Sequence, residues 1–422
     1  MNLKRKWWQV SVGAAMRTVE ILGIISLQLS ATQLCNAQVV IAWSAGPLDA
    51  KPAHNSPEYI AKNVSWIEAR PFDGMVINEF LGRNLLNLGL SQVAPAVTSA
   101  VNGSITYEAA TKGLAPVNGI FKVFTENFVK VNMFMTSLPP MLNDDAGWAV
   151  VTESARNYSK ALGEAGLKGI MLDNESYTRP KNSSGRALDY WLYSDQLSLA
   201  KISSDAVPVG AMTNLARKRG GQLVAALQER NPELAVIIAH GPYVGCASAR
   251  DAISSIGQDD YLMGAFAAGM IEAATRPSQV IDGGELYDYR QDDEFRTSRE
   301  WRKGIEAERS DSITTVEPRK NCPFMDSTLA SNWPKKANIA FGTFDKKRSS
   351  ARSNVWMIDT DAKSFQQTLT NALANTDRYV WHYTQWQDWW GRGMEDALAP
   401  FARAIVQAKS DARNRTRELI HK

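Results

Sequence analysis

From residue 38 onward, short apolar segments alternate with helical segments eight times. The eight predicted strands cover residues 38–44, 72–78, 131–137, 168–175, 234–242, 278–289, 336–345 and 378–385. They are continuous runs rich in Val and Ile, as expected for parallel strands that are covered on both faces. Right-handed crossovers close eight such units into a barrel. The alternation therefore predicts an α/β fold, a (β/α)8 TIM barrel in which residues 38–422 form one catalytic domain with inserted βα loops. An open doubly wound sheet is the alternative, but no Gly-rich phosphate loop follows any predicted strand.

The helical segments carry recognisable end signals. Ser56 is predicted to cap a helix that has Pro57 at its first position. Gly166 is predicted to end the helix that precedes the fourth strand. Pro400 lies inside the last helix, where a proline is expected to produce a kink.

The N-terminus has the pattern of an export signal. A basic segment at 4–8, "KRKWW", precedes the apolar run "ILGIISLQLSA" at 21–31, and Ala37 stands before the expected cut. Residues 1–37 are therefore predicted to be a cleaved signal peptide, which makes the protein periplasmic or extracellular, without stable membrane insertion after cleavage. An uncleaved membrane anchor is the alternative. Cleavage would leave Cys246 and Cys322, and whether these two pair stays open.

The charge balance bears on the class of partner. The 47 Lys and Arg residues nearly balance the 44 Asp and Glu residues, and the part after residue 37 is close to neutral. This balance argues against nucleic acid as a partner, whereas 13 Trp residues suit a neutral ligand. We expect a monomer that binds carbohydrate and needs no cofactor.

Barrel enzymes keep their chemistry at the carboxyl ends of the strands. The predicted strand ends carry carboxylates, histidine and aromatic residues. These are Trp43, Asn78, Glu79, Asp173, Glu175, His240, Asp282, Glu285, Tyr287, Trp381 and Tyr383. The segment "WHYTQWQDWW" at 381–390 holds four Trp residues, of which Trp381 is expected in the site and Trp389 or Trp390 in packing.

Asp173 and Glu175 end the fourth predicted strand. Side chains alternate along a strand, so these two share a face about 6.6 Å apart. Two sheltered carboxylates at that spacing raise the pKa of one of them, which supplies a general acid near neutral pH. Glycoside hydrolysis needs such a pair. In the alternative interpretation, Asp173 caps a helix or pairs with an Arg and Glu175 faces solvent.

The segment "GIMLDNE" at 169–175 resembles the signature of family-18 chitinases, a strand that ends in D-x-E. This resemblance implies that Glu175 is the acid and Asp173 its helper. "ELYDY" at 285–289 resembles the Tyr-Asp of the sixth strand in that family, and Trp381 resembles its strand-8 Trp, the floor of the sugar subsite. The sequence departs from the family at Met171, where the earlier Asp of D-x-D-x-E is expected, and in lacking the Gly-rich third strand.

Two other families resemble the same segment. It is similar to the fourth strand of family-114 endo-polygalactosaminidases and related α-glycosidases, which implies that Asp173 works with an acid from another strand, Asp282 or Glu285. The pair Asn174-Glu175 resembles that of clan A retaining enzymes, which use a nucleophilic Glu on strand 7. The seventh predicted strand offers only Asp345 there.

The sequence therefore predicts an exported glycoside hydrolase that cleaves O-glycosidic bonds in an oligo- or polysaccharide. Glu175 is the predicted proton donor, Asp173 the helper or nucleophile and Glu285 the reserve carboxylate. The predicted sugar contacts are Trp381, Tyr287, His240, Tyr383, Asn78, Glu79, Trp43 and Asp282. No metal ligand is predicted.

Two other functions stay open, a non-catalytic sugar-binding barrel and a metal-dependent hydrolase or deacetylase of polysaccharides. The sugar and the linkage also stay open. The separation between Glu175 and the nearest carboxylate discriminates between mechanisms, because about 5 Å indicates retention of configuration and more than about 6.5 Å indicates inversion.

Overall fold

The structure is a computed structural model of the 422-residue chain. It describes residues 38–44, 53–78, 104–134, 138–176, 179–245, 261–276, 279–285, 287, 289–304, 322, 324, 327–344, 346–348, 356–359, 361–384 and 387–420. The predicted signal peptide, residues 1–37, lies outside the described residues.

A ring of parallel strands forms the centre of the fold. The strands in chain order are β1 (Val39–Ser44), β2 (Gly74–Ile77), β3 (Phe128–Asn132), β4 (Gly169–Asp173), β5 (Ala235–Ile238), β6 (Val280–Asp282), β7 (Asn338–Ile339), β8 (Phe341–Phe344), β9 (Lys346–Arg348), β10 (Trp356–Asp359) and β11 (Tyr379–Thr384). Neighbours from β1 to β7 pair in sequence order, and β11 pairs with both β1 and β8. Strands β9 and β10 form a separate antiparallel pair.

Strands β7 and β8 are two parts of the seventh barrel strand. They are separated by Ala340, whose N–H donates to the carbonyl of Asp282 at 2.8 Å. Because β7 pairs with β6 and β8 pairs with β11, the sheet closes on itself. The (β/α)8 barrel predicted from the alternation is therefore confirmed.

Helices connect the strands. In chain order they are α1 (Pro57–Glu68), α2 (Tyr107–Leu114), α3 (Asp145–Glu164), α4 (Tyr193–Ala200), α5 (Val209–Glu229), α6 (Met263–Ala273), α7 (Asp292–Gly304), α8 (Ser327–Lys336), α9 (Ala362–Asn375) and α10 (Glu395–Ile420), with short 3-10 turns at Ala115–Val117 and Pro242–Gly245. The Ser56 side chain accepts the N–H of Tyr59, so the predicted cap is confirmed. Gly166 has φ +73°, a left-handed conformation that favours glycine after a helix. Among the described residues, no helix combines the length and apolar character needed to cross a membrane.

Alternation along the strands divides the apolar residues into two cores. On β1, Ile41 and Trp43 point into the barrel and pack with Trp381, whereas Val40 and Ala42 belong to the layer between barrel and helices. Both layers are buried, which explains why the strands are apolar throughout. Cys322 lies in the outer layer and is disulfide-bonded, while Cys246 lies outside the described residues.

Several strands are shorter than predicted, and two differences change the placement of site residues. β3 begins at Phe128, three residues before the predicted start at 131, so Lys130 lies inside the strand. β6 ends at Asp282 rather than continuing to 289, because Gly283 and Gly284 follow it and Gly284 has φ +57°. Glu285 and Tyr287 consequently lie on the loop that leaves the strand.

Candidate active site

Asp173 ends β4 and is only 1% exposed. Its Oδ2 lies 3.2 Å from the Nζ of Lys130 on the neighbouring β3, and its Oδ1 accepts the N–H of Glu175 at 3.3 Å. The Lys130 ammonium also lies 4.4 Å from the centre of the Trp43 ring. Burial raises the pKa of the Asp173 carboxyl and Lys130 opposes that rise, with a net increase.

Asn174 holds β4 and β5 together just beyond their ends. Its side-chain amide donates to the carbonyl of His240 at 2.8 Å and accepts the N–H of His240 at 3.0 Å. The indole N–H of Trp191 donates to the Asn174 carbonyl at 2.9 Å. Asn174 is fully buried. Its hydrogen bonds therefore fix the backbone of His240 and the position of the chain at Glu175, the next residue.

Glu175, His240 and Glu285 converge from the ends of β4, β5 and β6. The Nε2 of His240 lies 3.3 Å from Glu175 Oε1 and 3.6 Å from Glu285 Oε2. One ligand atom from each of the three side chains lies within 4.8 Å of the others. The Nδ1 of His240 lies 3.1 Å from the hydroxyl of Tyr243, which leaves Nε2 facing the two carboxylates.

The three groups titrate in different environments. Burial raises the pKa of Glu285 to about 7, helped by Glu175 and opposed by His240. Burial alone lowers the pKa of His240, but Glu175 and Glu285 raise it overall to about 9. The Glu285 side chain is 14% exposed and the Glu175 side chain 39%. Near neutral pH, the site therefore combines a protonated histidine with a carboxyl group that still carries its proton in a large fraction of molecules.

Aromatic rings surround this end of the barrel. The rings of Tyr287 and Tyr383 are partly exposed, with centres 6.2 Å apart. The Tyr287 hydroxyl donates to Glu285 Oε1 at 2.7 Å, so this ring also orients the carboxyl group. The centres of the Trp43 and Tyr383 rings lie 5.0 Å apart, and Trp43 is buried.

Trp381 lies deeper than the predicted sugar platform. Its side chain is 0% exposed, and its indole N–H donates to the carbonyl of Gly283 at 2.8 Å. The ring packs against Trp43 and Tyr287 at 5.6 and 5.7 Å between centres. In this structure Trp381 supports the rings above it and has no surface for a sugar. Trp389 and Trp390 are also fully buried, in the outer layer, as expected for packing residues.

Asp282 does not face the site, which corrects its prediction as a sugar contact. Strand alternation directs Ile281 into the barrel and Asp282 toward the helices. There its carboxylate is buried against Arg302 of α7, with bonds of 2.5 and 3.0 Å. His382 likewise faces outward beside Thr343, and burial lowers its pKa to about 3.

Of the two site residues predicted at the end of the second strand, the structure describes only Asn78. Asn78 follows β2, is partly exposed, and donates its N–H to the carbonyl of Asn55 at 2.8 Å. Glu79 lies outside the described residues.

Sequence reasoning missed two residues of this cluster. Lys130 was excluded because the third strand was predicted to start after it, although a single charge inside the apolar run "FVKVN" could have signalled an inward cation. Tyr243 lies in the 3-10 turn after β5, and no local pattern marks its contact with His240.

Comparison with known proteins gives likeness of fold. No family model and no curated protein matches this sequence. A β-mannanase from the blue mussel Mytilus edulis is 13% identical, with 88% of this chain and 92% of that chain covered and a TM-score of 0.40. A family-18 chitinase from Pseudoalteromonas aurantia is 10% identical, with 88% and 99% covered and a TM-score of 0.39. The family-5 enzyme PbGH5A from Prevotella bryantii B14, solved with a xyloglucan tetradecasaccharide, is 10% identical, with 90% and 97% covered and a TM-score of 0.42. Identities of 10–13% carry no information on the chemistry of this chain.

Proposed function

We propose that this protein is a glycoside hydrolase whose two catalytic carboxylates are Glu175 and Glu285. One observation carries the proposal. Oxygens of these two side chains lie within 4.8 Å at the carboxyl end of a barrel, beside partly exposed aromatic rings. This closeness supports the retaining arrangement, in which the two carboxyl groups lie about 5 Å apart, over the inverting one, in which they lie more than about 6.5 Å apart.

The environments of the two carboxylates assign their roles. Glu285 is the better proton donor, because it is the more buried and burial raises its pKa to about 7. Glu175 is more exposed and faces the cationic His240, which stabilises its ionised form. This assignment reverses the prediction that Glu175 is the acid.

The proposed reaction has two steps. Glu285 donates its proton to the glycosidic oxygen while the Glu175 carboxylate attacks the anomeric carbon, which breaks the bond to the leaving group. Glu285 then takes a proton from water, and the hydroxide attacks the glycosyl–Glu175 ester, releasing the sugar. Tyr287 and Tyr383 offer apolar faces for a pyranose ring. Export by residues 1–37 belongs to the same proposal and would be tested by N-terminal sequencing of the secreted protein.

The test uses Glu175→Ala and Glu285→Gln, with Glu229→Gln on the exposed surface of α5 as control. On an aryl-glycoside panel, we expect Glu175→Ala to lose activity and to regain turnover with azide, which replaces the nucleophile. Glu285→Gln should keep activity mainly on substrates with strongly acidic leaving groups, since these need no proton. Proton NMR of the first product should show retention. Wild-type activity in either variant, or an inverted product, would refute these roles.

A metal-dependent hydrolase is the second candidate. A histidine nitrogen and two carboxylate oxygens are ligands that Zn²⁺ accepts, and those of Glu175, His240 and Glu285 are close enough to share one ion. Dialysis against a chelator tests this candidate. Activity that is lost and then restored by Zn²⁺ would favour it, and unchanged activity would favour the carboxylate mechanism.

A sugar-binding barrel without catalysis is favoured by one contact, the pairing of Asp173 with Lys130. This ion pair makes Asp173 unavailable for catalysis. It leaves Glu175 and Glu285 close together, so two carboxylates are still available. Calorimetric binding of oligosaccharides without any turnover would support that function.

A further inference from the structure

We infer that Lys130 is a positioning residue of this site, which holds Glu175 in place through Asp173. The inference rests on the proposed function in that Glu175 is taken as the reacting carboxylate. It also assigns a role to Asp173. Its carboxylate pairs with Lys130 and accepts a backbone N–H, so we infer that it positions Glu175 and is not the nucleophile.

The first link is the ion pair inside the barrel. Lys130 lies on β3 and points inward, as does Asp173 on the adjacent β4. Their charged atoms lie 3.2 Å apart, and the lysine side chain is 16% exposed and that of Asp173 1%. The Trp43 ring beside the ammonium limits the positions that it can adopt. In such a sheltered place an unpaired carboxylate is strongly disfavoured, so Lys130 decides where the Asp173 carboxylate lies.

The second link runs from Asp173 to Glu175. The oxygen of Asp173 that does not face Lys130 accepts the N–H of Glu175 at 3.3 Å. Between them, Asn174 is already held by the backbone of His240. The backbone of Glu175 is therefore fixed by Asn174 on one side and by the Asp173 carboxylate on the other. Loss of Lys130 would release the restraint that the Asp173 carboxylate places on Glu175. It would leave every group that is proposed to touch substrate unchanged.

Lys409 offers a matched control. Its Nζ forms an ion pair of 2.6 Å with Asp73, which precedes β2 at the opposite end of the barrel. The Lys409 side chain is 19% exposed, close to the value for Lys130. Lys409→Met thus removes a lysine of similar exposure from an ion pair far from the site, although its partner Asp73 is 31% exposed and Asp173 only 1%. The variant reports the effect on the fold of losing a lysine ion pair.

The first experiment needs no substrate. The amide proton of Glu175 is observed by NMR in the wild type and in Lys130→Met, Lys130→Arg and Lys409→Met. We expect an upfield shift in Lys130→Met, because the amide loses its carboxylate acceptor, and little shift in the other two. An unchanged Glu175 resonance in Lys130→Met would overturn the inference, as would an equal shift in Lys409→Met. If Lys130→Met does not fold, Lys130→Gln replaces it with the same expected shift.

The second experiment measures turnover once a substrate is known. Lys130→Met should lower kcat by about 100-fold with little change in KM, since a misplaced reacting group costs about that much. Lys130→Arg should restore most of the rate, and Lys409→Met should leave kcat unchanged. A loss confined to KM, or a wild-type kcat in Lys130→Met, would contradict the inference. If no glycoside is cleaved, the proposed function fails while the NMR result still decides the role of Lys130.

Discussion

Arg302 connects the helical layer to the strand that delivers Glu285. Its buried guanidinium donates to both carboxylate oxygens of Asp282, at 2.5 and 3.0 Å. It also donates to the carbonyl of Asp282 at 2.6 Å and to that of Ala340 at 2.9 Å, where the seventh barrel strand is interrupted. We predict that Arg302→Met destabilises the fold strongly, because it leaves a buried carboxylate without its partner.

These contacts determine how far Arg302→Met should lower the stability and the Tm. Removing one partner of a buried ion pair costs about 3–5 kcal/mol. The unit Val39–Lys422 has an unfolding entropy of about 0.8 kcal/mol/K near its melting temperature. The expected decrease in Tm is therefore about 4–6 °C. Removing both charges should cost much less, since apolar side chains can replace a buried pair with little loss.

Differential scanning calorimetry tests this prediction on Arg302→Met, on the double variant Asp282→Leu with Arg302→Met, and on Arg299→Met. Arg299 lies on the same helix and pairs with Asp377, but it is about one-third exposed, so its loss should cost less than about 1 kcal/mol. A Tm for Arg302→Met equal to that of Arg299→Met would refute the reasoning. So would a double variant that is no more stable than Arg302→Met. If Asp282→Asn raised KM at unchanged Tm, the sugar contact predicted from the sequence would be right instead.

Two further predictions concern the acid and the barrel interior. The value of kcat/KM should fall as pH rises through about 7, because the raised pKa of Glu285 keeps the donor protonated only below that pH, and a pH–rate profile measures this. A basic limb unchanged in Glu285→Gln would contradict the assignment. Gly342→Ala should destabilise by about 1–3 kcal/mol in urea unfolding, since its new methyl group would lie 2.6 Å from a Trp381 ring atom. Gly210→Ala on α5, where the methyl group meets nothing within 4 Å, should be neutral or stabilising, and equal effects of the two changes would refute the packing argument.

The fold was predictable from the sequence because each barrel strand is buried on both faces, whatever its neighbours are. That burial demands apolar runs, and the runs can be counted. Their ends were less predictable. The apolar run after Lys130 continues to Phe134, so composition placed the third strand late, whereas pairing with β4 starts at Phe128. The direction of Asp282 also depended on strand register, which pairing with β5 and β7 determines.

The identity of the acid shows where local reasoning stops. Alternation along β4 made Asp173 and Glu175 a pair, and that pair was predicted to contain the proton donor. The structure instead places Lys130 against Asp173 and Glu285 opposite Glu175. Which carboxyl group keeps its proton depends on burial and on neighbouring charges, and both come from other strands. Because Glu285 is the more buried and its pKa is raised to about 7, the proposed mechanism assigns the proton donor to Glu285, after the end of β6, and the nucleophile to Glu175.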